Sequence, residues 1–381
     1  MMKFLSTIGV LTFCLGRADA QSEKLRARDL GVPFEGTPGP LNAITDVAGV
    51  EVGQTTLISG DSVRTGVTVV LPEGKRAKNQ VFAGWFTLNA DGEMTGTTWI
   101  EESGILEGPV AITNTHSVGT VHQAIIEWSV KNVEGLSWSL PVVAETWDGG
   151  LNDINGFHVK REHVFAAIEN AAGGPVPEGN VGGGTGMQVY QFKGGIGTSS
   201  RILDTPHGRF TVGALVQANY GLRPQLRVAG APVGLEIPDL MPEGRDSGDD
   251  DGAEEDGSII IVVATDAPVL PHQLKRIAKR ASLGLGRNGS IASNGSGDIF
   301  IAFSTFHKNI GTEEGGLYDL KMLGNADLSP IFRATVEASE EAIINAMVAA
   351  ETMTGSNGTK VYAIPHDRLR QALRKYNRLA P

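Results

Sequence analysis

Short apolar segments separated by glycine and polar residues fill most of the chain between residues 41 and 265. Runs of roughly four to eight apolar residues that are rich in β-branched side chains are typical of strands. The pattern predicts strands at residues 47–52, 67–71, 81–88, 105–112, 142–144 and 210–216.

Helical spacing appears in four other segments. Val121, Ile125 and Trp128 follow one another at steps of four and three, which places them on one helix face. The same reasoning predicts helices at residues 118–130, 163–171, 271–285 and 330–353, the last with Ser329 as N-cap and Pro330 at the first helical position. Strands and helices that mix without regular alternation predict a layered α+β sandwich.

An acidic segment, residues 243–257, is the clearest interruption. Its like charges repel and it lacks a large apolar residue, so we expect an exposed, mobile linker. The next seven residues, beginning at Ser258, read Ser-Ile-Ile-Ile-Val-Val-Ala. An uninterrupted run of this kind predicts a strand buried on both faces, so the Gly257-Ser258 pair marks a junction between linker and central strand.

Composition limits the classes of partner. Of the 381 residues, 41% are hydrophobic and 20% charged, which is enough for a globular core, and 50 are glycine, which predicts many tight loops. The formal net charge of −11 argues against a nucleic-acid surface or an anionic membrane, because both require a basic face. We therefore expect a small molecule or another copy of the chain as partner.

The first twenty residues have the pattern of a secretory signal peptide. Lys3 precedes a short apolar stretch that ends near Ala18-Asp19-Ala20, so we expect cleavage after Ala20 and a periplasmic or extracellular mature chain; a buried first helix is the alternative. The one cysteine, Cys14, lies in this segment. Without a thiol, and without histidine pairs at zinc-binding spacing, the mature chain is predicted to hold no metal and no cofactor.

Ser258 is the candidate nucleophile. A serine hydroxyl needs a neighbouring base, and an N-terminal serine supplies its own α-amine, with a pKa of about 7.7–8.0. Cutting the chain between Gly257 and Ser258 would create that amine, and glycine tolerates the strained backbone that such a cut requires. Taken alone, however, the junction favours the simpler interpretation that Ser258 begins a strand after a loop.

Segments along the rest of the chain favour the interpretation of Ser258 as a nucleophile. The relevant segments, in chain order, are Leu41–Val47, Ile112–Gly119, Ala144–Asp148, Leu151–Gly156, Glu178–Met187, Lys193–Ser200, Val216–Asn219, Ser258–Pro268, Pro271–Leu274 and Gly286–Gly289. This collinear set resembles the family of self-processing N-terminal-serine peptidases that contains the L-aminopeptidase/D-amidase-esterase DmpA and the β-peptidyl aminopeptidases. The resemblance implies a four-layer αββα sandwich, shared with ornithine acetyltransferases, built from residues 21–257 and 258–381 after self-cleavage, with one catalytic domain overall.

The resemblance also implies roles near the nucleophile. Ser258 would attack the substrate, with its new amine as base or proton relay. Ser296 and Asp298 match a second serine and an acid that hold the nucleophile, although several β-peptidyl aminopeptidases have glutamate where this chain has Asp298. By themselves these two residues would be interpreted as a turn into a strand.

Three further residues match substrate-binding positions of the family. Asn219 matches the amide that stabilises the oxyanion, and Glu145 the carboxylate that binds the substrate's amino group. Trp147 would shape the acyl pocket. Without the resemblance, Asn219 would be interpreted as an Asx turn and Glu145 as a solvated strand end.

The implied function is an aminopeptidase or amidase that acts on short peptides, amides and esters with a free amino group. It would release β-amino acids such as β-alanine, or small L- or D-residues, and would assemble as a homo-oligomer of cleaved pairs. Two alternatives remain: an acyltransferase of the ornithine acetyltransferase type, which uses threonine, and an uncleaved ligand-binding protein. The glycine-rich segment 182–186 lacks the following Lys-Ser/Thr of a phosphate-binding loop, so we predict a tight loop beneath the active site.

Overall fold

The computed structural model describes residues 24–75, 80–136, 138–244, 257–308, 310 and 316–380. The strands are β1 (Glu51–Ser59), β2 (Val63–Leu71), β3 (Gln80–Ala90), β4 (Ile105–Glu107), β5 (Val110–Asn114), β6 (Val142–Thr146), β7 (Gln188–Val189), β8 (Phe192–Lys193), β9 (Gly195–Thr205), β10 (Gly208–Asn219), β11 (Gly257–Thr265), β12 (Ser296–Ser304), β13 (Met353–Thr354) and β14 (Lys360–Val361). The α-helices are α1 (Thr97–Ser103), α2 (Val118–Asn132), α3 (Arg161–Glu169), α4 (Val233–Glu236), α5 (Pro271–Arg287), α6 (Ser329–Val348) and α7 (His366–Lys375). Short 3₁₀ helices cover Ala27–Leu30, Ile44–Asp46, Thr115–Ser117, Ile154–Gly156, Gly182–Gly184, Arg223–Gln225, Asn325–Asp327 and Ser356–Gly358.

Two sheets organise these elements. The four-stranded sheet has the order β1-β2-β5-β6 and the six-stranded sheet the order β4-β3-β12-β11-β10-β9. Neighbouring strands are antiparallel except β5 with β6 and β11 with β12. Two short ribbons, β7-β8 and β13-β14, lie outside the sheets.

The sheets pack face to face, with helices on both outer faces. Between the sheets lie buried side chains from both, among them Ile112, Leu215 and Ile260. Helices α5 and α6 cover the outer face of the six-stranded sheet, and α2 and α3 cover that of the four-stranded sheet. The resulting order of layers is the predicted αββα sandwich.

Strand β11 lies in the middle of the six-stranded sheet, between β12 and β10. Its side chains alternate between two cores: Ile259 and Ile261 face the helices, whereas Ile260 and Val262 face the other sheet. The prediction of a strand buried on both faces is therefore confirmed.

Most predicted elements have different bounds in the structure. The apolar run 105–112 is two strands in different sheets, because Gly108 has a φ of 89° and Pro109 has no N–H to donate to a ladder. The first strand begins at Glu51, after a 3₁₀ turn, and not at residue 47. Helix α6 ends at Val348, and its N-cap is Leu328, so the prediction of Ser329 as N-cap was wrong.

The expected signal peptide, residues 1–20 with Cys14, and residues 245–256 of the acidic segment lie outside the described residues. Both ends of that segment belong to regular structure. Glu243 forms an antiparallel bridge with Lys360, and Gly257 is the first residue of β11. The linker bounds 243–257 therefore need correction, because backbone pairing fixes each end. In the described part of the chain, every helix is too short or too polar to cross a membrane.

Candidate active site

Ser258 lies at the beginning of β11 and is 5% exposed. The strand register places it opposite Asn219 of β10 and Gly297 of β12. The backbone N–H of Gly297 donates a hydrogen bond to the Ser258 hydroxyl at 3.2 Å. A Cβ at residue 297 would lie 2.9 Å from that hydroxyl oxygen and 2.4 Å from the carbonyl oxygen of Asp91. Glycine is therefore required for a backbone donor to approach the serine.

Gly257 is also fixed by close packing. Its φ is 156°, and a Cβ there would lie 2.3 Å from the carbonyl oxygen of Asn219 and 2.8 Å from the Cα of Tyr220. A side chain at this position would push β11 away from β10. The glycine before the serine therefore has a packing role, whether or not the bond after it is cut.

Asn219 is held by two backbone groups from other parts of the chain. The N–H of Gln188 donates to its Oδ1 at 2.8 Å, and its Nδ2 donates to the carbonyl of Trp147 at 2.9 Å. A donor on one side and an acceptor on the other fix the orientation of the amide. The Asx-turn interpretation is wrong, because these partners are distant in sequence.

Ser296 and Asp298 form a buried pair at the start of β12, with the Ser296 hydroxyl donating to Asp298 Oδ1 at 2.7 Å. The register places Ser296 beside Gly257. Because side chains alternate along a strand, this pair faces the helical layer, whereas Ser258 shares the inter-sheet face with Ile260. The pair therefore flanks the Gly257–Ser258 peptide bond from the opposite face of the sheet.

Glu145 near the end of β6 is 3% exposed, so the solvated strand end is ruled out. Its carboxylate accepts hydrogen bonds from the backbone N–H of Glu93, at 3.0 Å, and from the hydroxyl of Thr115. Burial raises the pKa of Glu145; the two hydrogen bonds oppose this, and the nearby charges of Glu93 and Asp91 add to it. In the part of the chain that the structure describes, no cation forms an ion pair with this carboxylate, so the site favours a positively charged ligand.

Gly92 shows how close this carboxylate is to the serine. A Cβ at residue 92 would lie 3.2 Å from Glu145 Oε1 and 3.3 Å from the Cα of Gly297, the residue that donates to Ser258. Only a glycine backbone thus separates the carboxylate from β12. An ammonium group bound by Glu145 would therefore lie near the serine hydroxyl.

Trp147 lies beside this cluster, where its carbonyl accepts a hydrogen bond from Asn219, and it is 42% exposed. Its ring packs against Gly149, where a Cβ would lie 2.4 Å from Cζ2. The next residue, Asp148, is fully buried and accepts hydrogen bonds from the Nδ2 atoms of Asn114 and Asn152, both at 3.0 Å. Burial raises the pKa of Asp148 to about 6. These contacts anchor the segment that carries the carbonyl bound by Asn219.

The structure thus brings all the predicted site residues to one end of the central strands. Sequence reasoning missed Thr115, Gln188 and the backbone of Glu93, which hold Glu145 and Asn219 in place. Thr115 lies within a segment that carried the resemblance, so its position was visible but not its role. Within the described residues, no group of three or more histidine, cysteine and acidic side chains is arranged to hold a metal ion.

Comparison with known proteins identifies the family. The model of peptidase family S58 matches residues 42–361. The chain belongs to this family. Among curated proteins, the β-peptidyl aminopeptidase BapA of Sphingosinicella microcystinivorans is 54% identical over 393 residues, covering 100% of this chain and 99% of that protein. As in the family, the enzyme is a serine aminopeptidase that acts on peptides and amides.

Solved structures of S58-like enzymes agree with the fold. The L-aminopeptidase D-Ala-esterase/amidase of Ochrobactrum anthropi, described as a variant of the Ntn-hydrolase fold, superimposes with a TM-score of 0.86 at 48% identity, covering 93% of this chain and 99% of that one. A β-aminopeptidase from a Burkholderia species gives a TM-score of 0.84 at 47% identity, covering 92% and 99%. The predicted fold and the aminopeptidase function are confirmed.

Proposed function

We propose that this aminopeptidase matures by cleaving its own Gly257–Ser258 bond and then uses Ser258 as nucleophile, with the freed α-amine as base. The observation that carries the proposal is the position of the Ser258 hydroxyl. It is buried at the start of the central strand, accepts a hydrogen bond from Gly297, and lies in register with Asn219. The N–H of Gly297 orients the hydroxyl, and the base that a serine nucleophile requires would be the freed α-amine.

Maturation is an intramolecular acyl shift followed by hydrolysis. The Ser258 hydroxyl attacks the carbonyl carbon of Gly257, the C–N bond breaks, and the nitrogen takes up the hydroxyl proton. Water then hydrolyses the ester, leaving a carboxylate on Gly257 and a free amine on Ser258. The position of the Ser296–Asp298 pair beside Gly257 supports self-cleavage at this bond, because the pair flanks the reacting atoms.

Catalysis repeats the same chemistry on a substrate. Its ammonium group binds Glu145, and the Ser258 hydroxyl attacks the first carbonyl while the α-amine accepts the proton. The Asn219 amide donates to the oxyanion of the tetrahedral intermediate. The intermediate collapses as the α-ammonium group returns the proton to the departing amine or alcohol. Water then frees the amino acid from Ser258. Because the carboxylate binds a terminal ammonium, the enzyme removes residues only from the amino end.

The proposed substrates are short peptides, amides and esters that begin with β-alanine, another β-amino acid, or a small L- or D-residue. The names of the similar proteins support both classes, since two are β-aminopeptidases and one is an L-aminopeptidase D-Ala-esterase/amidase. Trp147 beside the site would limit the size of the acyl group.

The test combines a substrate panel with a denaturing gel. We expect the purified protein to hydrolyse β-alanyl, L-alanyl or D-alanyl amides, to ignore their N-acetylated forms, and to run as two bands. Ser258→Ala should give one band and no activity. Ser282→Ala, whose hydroxyl binds a carbonyl on the outer helix α5, should behave as wild type. Equal hydrolysis of N-acetylated substrates, or full activity in Ser258→Ala, would overturn the proposal.

We further propose that residues 1–20 are removed on export and that cleaved pairs assemble into a homo-oligomer. The apolar stretch after Lys3 supports the first point. Protein recovered from the periplasm or medium should then begin at Gln21. Its mass by light scattering should be a multiple of the cleaved pair. A cytoplasmic protein that begins at Met1, or a monomeric pair, would contradict these points.

A further inference from the structure

Lys193 is a fully buried lysine next to the active site. It ends β8, is fully buried, and donates through Nζ to three backbone carbonyls: Met187 at 2.7 Å, Gly194 at 2.9 Å and Gly184 at 3.4 Å. In the described residues, no carboxylate lies within ion-pair distance of it. Its charge is therefore balanced by backbone dipoles alone.

The glycine-rich segment 182–186 folds against this lysine. Its glycines are required by packing, since a Cβ at Gly183 would lie 2.2 Å from Gln217 Oε1 and one at Gly184 would lie 2.4 Å from the backbone nitrogen of Ile196. Carbonyl oxygens from the loop and its neighbours converge on the ammonium. A phosphate-binding loop presents N–H groups instead, and here Gly182–Gly184 form a buried 3₁₀ turn.

Keeping an ammonium group in this position is costly. Burial lowers the pKa of Lys193, and a buried cation without a counter-ion stabilises a fold less than an apolar side chain of similar size. Three carbonyl acceptors match the three donors of an ammonium group, so the site suits the charged form. A role confined to stability would be better filled by methionine. The other contacts of these carbonyl-bearing peptide units are therefore of interest.

One of those carbonyls belongs to a peptide unit that is also hydrogen-bonded to Asn219. The C=O of Met187 accepts from Lys193, and the N–H of the same peptide unit, that of Gln188, donates to Asn219 Oδ1 at 2.8 Å. The other end of the Asn219 amide is Nδ2, which donates to the carbonyl of Trp147. Hydrogen bonds in such a chain polarise one another, and each fixes the orientation of the next group.

We propose that Lys193 is a positioning residue for the aminopeptidase reaction: through the Met187–Gln188 peptide it holds and polarises the Asn219 amide for its interaction with the oxyanion. The proposal rests on the function proposed above, in which Asn219 is the oxyanion donor. A positioning role and a purely structural role predict different changes in the kinetic constants. Loss of the cation should weaken stabilisation of the transition state and leave binding of the substrate ammonium at Glu145 unaffected.

The test is a double-mutant cycle with Lys193→Met and Asn219→Ala, measured on the cleaved, folded fraction of each protein with a β-alanyl amide. Removing an oxyanion donor costs about 10²–10³ in kcat, so Asn219→Ala should fall in that range. Lys193→Met should lower kcat by about tenfold or more, with KM changed less than about twofold. In the Asn219→Ala background, Lys193→Met should have no further effect.

Lys75→Met is the matched control. Lys75 also donates to backbone carbonyls, those of Glu169 at 2.8 Å and Ala171 at 3.0 Å, but these lie at the end of α3 in the outer layer. Its removal should leave kcat and KM unchanged. Lys193→Gln, which keeps a hydrogen-bond donor without the charge, should repeat the loss of kcat if the charge itself is needed.

Three results would overturn the inference. Lys193→Met could leave kcat unchanged, or could lower it by the same factor with and without Asn219. Alternatively, Asn219→Ala could retain full kcat in an active enzyme, which would remove the premise but leave the aminopeptidase function intact. Failure of the proposed function itself would show as a wild-type protein that is inactive on every free-amine substrate.

Discussion

Two buried glutamates illustrate two uses of charge in this molecule. Glu145 lies in the active site among neutral donors and other carboxylates, and burial raises its pKa. Glu341 on α6 is equally buried, but Arg28 and Arg201 both contact it at 2.7 Å. Burial alone would raise the pKa of Glu341; the hydrogen bond from Arg28 and the charges of Arg201 and Arg28 outweigh it, and the pKa is lowered.

The difference lies in where the cation comes from. The Glu341 cluster is neutralised within the fold, so it contributes to stability. Among the described residues no cation lies within ion-pair distance of Glu145, so a substrate ammonium can supply one. The Glu341 cluster also joins the two proposed fragments, since Arg28 and Arg201 belong to residues 21–257 and Glu341 belongs to residues 258–381.

The largest expected effect is on stability, at the internal cluster. Glu341→Gln leaves the buried Arg201 and the half-buried Arg28 without the carboxylate that they share. Breaking a buried pair costs about 3–5 kcal/mol of unfolding free energy. kcat and KM should stay at wild-type values below the melting temperature. Denaturant unfolding and steady-state kinetics on the same samples measure both.

Glu340→Gln is its control. The neighbouring Glu340 pairs with the more exposed Arg287 at 2.8 Å, and such pairs contribute about 0–1 kcal/mol. If the two variants were destabilised equally, or if Glu341→Gln lowered kcat in the folded protein, the distinction between the two glutamates would fail.

The next effect is on activity. Glu145→Gln should lower kcat/KM for free-amine substrates by about 10- to 100-fold, because an ion pair with the ammonium becomes a neutral contact. Unfolding free energy at pH 7 should be unchanged or higher, since the raised pKa of Glu145 means that its charged form costs stability in the free protein. Glu93→Gln, at an exposed side chain, should change kcat/KM much less. If Glu145→Gln were strongly destabilised, the carboxylate would have a role in stabilising the fold, which contradicts this prediction.

The smallest effects are in pH dependence, and they follow from pKa shifts of opposite sign. Because the pKa of Glu145 is raised, substrate affinity should fall on acidification at a pH above the ordinary value of 4.5. Because the pKa of Glu341 is lowered, its stabilising contribution is present above 4.5 and is lost as pH falls through the folded-state value below 4.5. KM profiles of wild type, and unfolding of wild type against Glu341→Gln, check each half. A KM that is flat down to pH 4.5, or a stability difference that persists at lower pH, would contradict them.

Local patterns predicted a layered α+β sandwich and, from the apolar run after Ser258, its central strand. The four layers and the site residues Glu145, Asn219 and Ser296 came from the family resemblance, because no local pattern distinguishes these residues. Other features depend on tertiary contacts that leave no local signal. The contacts of Lys193 are of this kind, because no sequence motif orients the carbonyls around it. The division of residues 105–112 between two sheets is different, since Gly108-Pro109 is a local signal for a break that apolar periodicity alone overlooks.

Self-cleavage before Ser258 is best tested by the amino-terminal sequence of the smaller fragment in active, purified enzyme, together with the intact mass of Ser258→Ala. We expect this fragment to begin Ser-Ile-Ile-Ile-Val at residue 258 and the variant to remain one unbroken chain. Fully active enzyme whose backbone is continuous between residues 257 and 258 would contradict it.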